Sequence, residues 1–252
     1  MSETKKPAGN ESYAWSQFDP EAYFQHYYGE PHVDDERVVR NACAALRAAE
    51  PAGNALATID VGTGPNLFPL FCALPRAETI TAWEYAGSNI DWLRVELATD
   101  HIRPQWRHFW NVAAEAYGAG YDLPANPIPA LRNKVQVRQG SLYELPEREW
   151  DAATMFFCAE SITEKRDEFV EGCVRFAKCV LPGGTLAAAF LAGSSGYPVA
   201  GRPFPALTLS ESDIKEVFTP LSTECRTEQI GIVEKEVRGG YSGMVFLTAK
   251  AI

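Results

Sequence analysis

Long apolar runs are missing from this sequence. The longest, from Thr185 to Ala192, falls far short of the roughly 20 residues a membrane-crossing helix requires, so no span is expected. The opening residues MSETKKPAGNES carry no apolar core of the kind a secretory signal needs, and they read as part of a disordered tail. Basic charge is scarce as well: 23 Lys and Arg stand against 33 Asp and Glu, a formal net charge of -10, with no local basic run. Such a surface repels phosphate backbones, which excludes nucleic acid as an expected partner. Six cysteines include no C-x-x-C pair, and four histidines lack H-E-x-x-H spacing, so no metal site is expected. The thiols read as reduced, buried small hydrophobes, which fits a cytoplasmic location.

What is present suffices for a full core. In 252 residues, 46% are hydrophobic and 12% aromatic, consistent with one domain over 18–252 behind a tail over 1–17. From about residue 34, helix-like and strand-like periods alternate, the pattern of a layered α/β fold with a mostly parallel sheet. Val38, Val39, Ala42, Ala45, Leu46 and Ala49 make one helical stripe, and ALATIDV follows as a buried strand. NLFPLFCAL reads as a helix that tolerates Pro69 in its first turn. TITAWEY, KVQVRQGSL, DAATMFF and TLAAAFL supply further strands, and a helix over EFVEGCVRFAKCVL ends at Leu181-Pro182-Gly183-Gly184. Segments near GIVEKEVR and GMVFLTAKA alternate like a carboxyl-terminal antiparallel hairpin. Between 88 and 133 lies an aromatic-rich helical insertion with Trp92, Trp106, Phe109, Trp110, Tyr117 and Tyr121. Those rings either wall a pocket or cover one sheet face.

Chemistry concentrates at Ile59-Asp60-Val61-Gly62-Thr63-Gly64-Pro65-Asn66, a strand running into a glycine turn and then a helix. Gly62 and Gly64 let backbone approach a ligand at the carboxyl edge of the sheet. Glu84 ends the second strand, where a carboxylate accepts hydrogen bonds from ribose hydroxyls. Together they predict a nucleoside site. A dinucleotide loop would carry glycine at position 67, but the residue is Leu67, and Pro65 removes an amide that a pyrophosphate would need. S-adenosylmethionine (SAM), which has no phosphate, suits the loop better than NAD.

The stretch Asp19-Pro20-Glu21-Ala22-Tyr23-Phe24-Gln25-His26-Tyr27-Tyr28 resembles the D-P-x-x-Y-L-x-x-Y-Y opening of the nicotinamide, phenylethanolamine and thioether methyltransferase family. The similarity continues through the glycine turn, Trp83-Glu84-Tyr85 with Asn89, Asp151 to Glu160, and Leu181 to Gly201. It implies a Rossmann-like, seven-stranded class I methyltransferase fold with helices on both faces and an amino-terminal helical lid over 18–33. It also implies SAM as methyl donor, with S-adenosylhomocysteine (SAH) as product. By this resemblance Tyr23 and Tyr28 close over SAM, and Gly62, Thr63, Gly64, Pro65, Asn66 and Phe68 pass beneath methionine. Glu84 would hold the ribose with Asn89 near it, Tyr85 would be a further cofactor contact, and Ser141, Leu142 and Phe156 would line the adenine and upper pocket. Phe68 and Ser141 depart from the tyrosine and aspartate the family often carries there.

Phe157, Ser195 and Tyr197 are the expected acceptor contacts, with Tyr27 and Glu160 as acid-base candidates. After the fifth strand the chain reads Phe190 to Tyr197 without the carboxylate that vertebrate amine-methylating members carry, so Glu160 could replace it or could cap a local turn. The loop from Gly193 to Phe204, with Arg202, therefore suggests an aromatic acceptor that is neutral or partly anionic. N-methylation of an aromatic or heteroaromatic metabolite is the preferred reading. O- and S-methylation stay open, as do two lesser alternatives, an NAD-dependent oxidoreductase and a non-catalytic SAM-binding protein. The chain is expected to be a monomer or a weak homo-oligomer.

Overall fold

A computed structural model describes residues 7–53, 55–231 and 238–252. Its strands are Leu56–Val61 (β1), Ala77–Glu84 (β2), Val135–Gln139 (β3), Trp150–Phe156 (β4), Val180–Ala192 (β5), Ser222–Ile230 (β8) and Gly243–Ala251 (β9), with Tyr197–Val199 (β6) and Arg202–Phe204 (β7) forming a separate hairpin. The main sheet has the order β3-β2-β1-β4-β5-β9-β8, and β9 is antiparallel to both its neighbours. β1 and β2 connect toward one edge and β4 and β5 toward the other, so the topological switch point lies between β1 and β4. Ligands of open α/β sheets bind in the crevice outside the strand ends at that point.

Helices cover both faces. On one side pack Val33–Arg47 (α2), Phe68–Ala73 (α3), Gly87–Ala98 (α4), Pro104–Tyr117 (α5) and Ile128–Lys134 (α6); on the other pack Arg166–Lys178 (α7) and Glu211–Phe218 (α8). The stripe Val38, Val39, Ala42, Cys43 and Leu46 seats α2 on the sheet, and Pro69 sits in the first turn of α3, where no intrahelical donor is lost. No helix among the described residues is long and apolar enough to cross a membrane.

Three expectations change. The carboxyl-terminal hairpin begins earlier: its first strand is Ser222–Ile230, while 232–237, most of the GIVEKEVR segment, lie outside the described residues. Leu181 to Gly184 is a bulge within β5, since Trp150 pairs with Val180 and Ala152 with Thr185. The residues over 1–17 are not featureless from Ala8 onward. Ala8 and Asn10 donate backbone N–H groups to the Glu164 and Glu168 carboxylates at 2.8 Å, and Trp15 packs on Phe204 at 5.1 Å between ring centres.

The segment over 88–133 resolves in favour of the sheet-covering alternative. Trp106 is 1% exposed and meets Phe24 of Pro20–Tyr28 (α1) at 5.0 Å between centres. Its indole N–H donates to Glu96, Glu96 pairs with Arg103, and Arg103 forks onto Glu21 of α1 at 2.8 and 3.1 Å. Trp92, Phe109, Trp110 and Tyr117 join the same core. These aromatics fix the seat of α1 rather than lining a cavity.

Candidate cofactor and acceptor sites

Asp19 starts α1: its carboxylate accepts the Ala22 N–H at 2.9 Å, and Pro20 follows in the first turn. The helix then carries Tyr23, Tyr27 and Tyr28 across the carboxyl ends of β1 and β4. Tyr28 is tied down by Asn66, whose amide donates to its hydroxyl at 3.2 Å while the Asn66 carbonyl accepts the Phe68 N–H at 3.0 Å. One asparagine thus joins the lid helix to the glycine loop.

That loop needs its glycines. Gly62 and Gly64 hold φ of 68° and 58°, and a Cβ on Gly62 would stand 2.2 Å from the Cys158 Sγ. The Glu84 carboxylate organises the turn, accepting the Gly64 N–H at 2.8 Å, the Ala86 N–H at 2.7 Å and the Asn89 amide at 3.3 Å. Burial raises its pKa, and these donors work the other way by favouring the charged form. Asp60 beneath the loop is pushed up to about 7, by burial first, against hydrogen bonds from Thr154 and Thr63.

Around this turn a cleft is lined by Tyr23, Tyr28, Gly62 to Asn66, Glu84, Tyr85, Asn89, Ser141, Leu142, Phe156, Phe157 and Tyr197. All the cofactor-side residues expected from sequence are brought together here except Phe68. Phe68 is fully buried, stacked behind Phe156 at 5.8 Å, and so supports the wall instead of touching the cleft. The cleft also gathers residues the sequence did not flag: Asn10, Trp15, Phe18, Tyr143, Cys158 and Ser161.

The lining fits SAM. It contains neither lysine nor arginine, so a pyrophosphate would find no cation, whereas a sulfonium meets the faces of Tyr23, Tyr28, Phe157 and Tyr197. Two buried oxygens without protein partners, Asn89 Oδ1 beside Glu84 and Asp60 Oδ2 beneath the loop, are acceptors fit for ligand or water donors.

A second cavity, of about 180 Å³, adjoins the first. Tyr23, Tyr28 and Phe157 line both, and Phe157 holds a φ of 56°, a conformation that L side chains rarely adopt, at the boundary. Tyr27, His26, Glu30, His32, Asp35, Leu191, Arg238 and Met244 complete it. Arg238 is 5% exposed, stacked over the Tyr197 ring at 3.9 Å and the Tyr27 ring at 5.2 Å, and donates to Ser161 Oγ at 2.8 Å and the Tyr23 hydroxyl at 3.2 Å. Asp35 is 6% exposed and raised to about 8, by burial first and then by its neighbour Asp34.

Several acceptor-side expectations need correction. Ser195 is exposed and lines neither cavity. Arg202 is exposed on the small hairpin, and the guanidinium inside the site is that of Arg238. Glu160 is fully buried and also reaches neither cavity: Oε1 accepts the Leu191 N–H at 3.1 Å, which ties the turn after β4 to β5. Burial lifts its pKa to about 7. Tyr27 lies in the second cavity, where burial raises its phenol despite the opposing Arg238. It therefore stands at neutral pH as a hydrogen-bond donor and not as a base. The loop after β5 indeed holds no carboxylate, but the segment leading into α2 and the start of α2 place two, Glu30 and Asp35, in the cavity.

Fold and cleft together define a class I SAM-dependent methyltransferase. The model of the NNMT/PNMT/TEMT family matches residues 6–251, and the chain belongs to that family. It is 23% identical to bovine (Bos taurus) phenylethanolamine N-methyltransferase, over 85% of this chain and 80% of that protein. The rat (Rattus norvegicus) enzyme is 22% identical over 95% of this chain and 90% of its own. Among solved structures, a Burkholderia thailandensis 1,6-didemethyltoxoflavin-N1-methyltransferase, bound to 1,6-didemethyltoxoflavin and SAH, superposes with a TM-score of 0.53 at 16% identity. That match covers 100% of this chain and 98% of the other.

Proposed function

We propose that this enzyme methylates a nitrogen of a small aromatic or heteroaromatic molecule. The observation that carries this reading is the second cavity, walled by Tyr23, Tyr27, Tyr28 and Phe157 and sharing three of those residues with the cofactor cleft. Stacking faces on several sides suit a planar ring, and the shared walls put its edge beside the methyl donor. Names of relatives agree in kind: phenylethanolamine N-methyltransferases and a toxoflavin-precursor N1-methyltransferase act on nitrogen.

SAM, when bound, would supply an activated methyl: an acceptor nitrogen in its unprotonated form would give its lone pair to the methyl carbon as the carbon–sulfur pair returns to sulfur, and an N–H acceptor would then release its proton to solvent. The chain's own contribution is mainly positional. Gly62 and Gly64 admit backbone to the cofactor, Glu84 and Asn89 hold its ribose, and α1 closes the top with Tyr23 and Tyr28. Trp15 and Phe18 extend that cover at the rim of the cleft. Tyr27 donates a hydrogen bond toward the acceptor.

The test is turnover. Purified protein with SAM and separate nitrogen, phenol and thiol acceptors on aromatic rings is followed by mass spectrometry for SAH and a monomethylated product. Methylated ring or side-chain nitrogen is the expected outcome. A methylated phenol or thiol with every nitrogen acceptor untouched would transfer the assignment to O- or S-methylation.

A further inference from the structure

The ionisable residues that line the second cavity include His26, Glu30, His32, Asp35 and Arg238, and two of them with opposite sign, Asp35 and Arg238, do not meet. Among the described residues, no carboxylate lies within ion-pairing distance of the Arg238 guanidinium, whose Nε is buried without a hydrogen-bond partner. Its charge rests on ring faces and two hydroxyls. The Asp35 carboxyl likewise has no hydrogen-bond partner among the described residues. A third polar atom is unpaired: His32 Nδ1 accepts the Asp34 N–H at 3.2 Å, which leaves the proton on Nε2, and Nε2 is buried without an acceptor. Leu191 and Met244 are apolar members of the lining.

Buried polar groups normally find partners within the fold. Three such groups around one cavity beside a methyl-donor site point to partners that arrive with the acceptor. A purely cationic amine would satisfy Asp35 and leave Arg238 and His32 Nε2 unmet. A purely anionic ring would do the reverse, and a neutral hydrocarbon would serve none of the three.

Resting on the reading of this site as the acceptor pocket, we propose that the acceptor is a bifunctional aromatic molecule, with a hydrogen-bearing nitrogen that meets Asp35 and a carboxylate or comparable oxyanion that meets Arg238 and His32. Simple phenylethylamines and nicotinamide, each carrying half of that pattern, are poor ligands. The planar fork of Arg238, pinned over Tyr197, offers the two-point recognition that carboxylates favour.

Calorimetry on the full chain saturated with SAH tests this. The probes are phenylalanine and the three aminobenzoates (nitrogen and carboxylate), benzoate (carboxylate alone), phenylethylamine (ammonium alone) and nicotinamide (neutral). At least one bifunctional probe should bind tenfold or more tighter than each of the others. Arg238→Met should remove the preference for carboxylate while sparing phenylethylamine, and Asp35→Asn should do the opposite. If a single-function probe binds best, or if no bifunctional probe binds at millimolar concentration, the proposal fails, and this ranking needs no variant to fold. Failure of SAH itself to bind would instead strike at the methyltransferase reading.

Discussion

Replacing Glu84 by alanine tests the cofactor site at its centre. The carboxylate holds the Gly64 and Ala86 N–H groups and the Asn89 amide, at 2.8, 2.7 and 3.3 Å, and Glu84 lines the cleft. Hydrogen bonds to a charged group contribute about 1.5–3 kcal/mol, so losing the ribose contact should weaken SAH roughly 10- to 150-fold. Two backbone donors are also released. Since water can enter the cleft, the stability loss should stay near 1–2 kcal/mol, a fall in Tm of roughly 2–8 °C for a chain of this size. Glutamine should not rescue: whichever way its amide is turned, the NH2 group faces either the Gly64 N–H or the Ala86 N–H. Calorimetric titration with SAH gives affinity and thermal melting gives stability. Wild-type SAH affinity in a folded Glu84→Ala variant, or full recovery with Glu84→Gln, would refute the ribose role.

Gly62→Ala adds a Cβ 2.2 Å from the Cys158 Sγ and forces alanine to a φ of 68°, a backbone cost of about 1–2 kcal/mol before any clash; SAH affinity should drop at least tenfold, with partial recovery in the double variant with Cys158→Ala. Asp35, raised to about 8, keeps its proton in the folded state while the unfolded carboxyl ionises near its ordinary pKa of about 4, so the unfolded chain binds fewer protons and stability falls as pH rises between those values. Asp35→Asn should remove that slope, gaining stability at pH 8 and little at pH 4 when unfolding in urea is compared. Trp106→Phe loses the bond to Glu96 and core contacts, lowering Tm by several degrees while leaving the KM for acceptor unchanged; a large KM change would return the aromatic segment to the pocket wall. Deleting residues 1–17 should raise the Kd for SAH several-fold, because Asn10 and Trp15 line the cleft, and deletion through Tyr28 should abolish transfer.

How much of this was legible in the sequence depended on distance along the chain. The β1 turn, Glu84 and Asn89 lie within one β-α-β unit, so their meeting at one cleft is a short-range matter, and the local rule that Pro69 needs a first turn located α3 correctly. Arg238 and Asp35 gave no such signal. Each looks like an ordinary charged residue, one at the start of an amphipathic helix and the other beside a glycine pair, and only the sheet order brings them to one cavity. Glu160 misled for a related reason: its place just past β4 marks it as a site residue, yet its side chain turns inward to the Leu191 amide. The tail misled by composition. Its backbone N–H groups at Ala8 and Asn10 are tied down by acceptors 156 and 158 positions away, a pairing invisible to any local pattern.

The two cavities are not independent compartments. Tyr23 and Tyr28 come from α1, Phe157 follows β4, and each lines both the cofactor cleft and the second cavity. Their hydroxyl partners divide in the same way: Tyr28 is held by Asn66 of the glycine loop, while Tyr23 is held by Arg238. A ligand that orders the glycine loop therefore fixes Tyr28, and with it the α1 helix that carries Tyr23 and Tyr27 over the acceptor. An anion drawn to Arg238 acts on the same helix from the other side. Coupling of this kind requires that both ligands bias one element, and α1, seated by Arg103 and Trp106 but crossing both openings, is such an element. If the second cavity takes the acceptor as proposed, closure over the cofactor and over the acceptor would be a single movement of one short helix, a way for a positional enzyme to bring donor and acceptor into line while shutting out water.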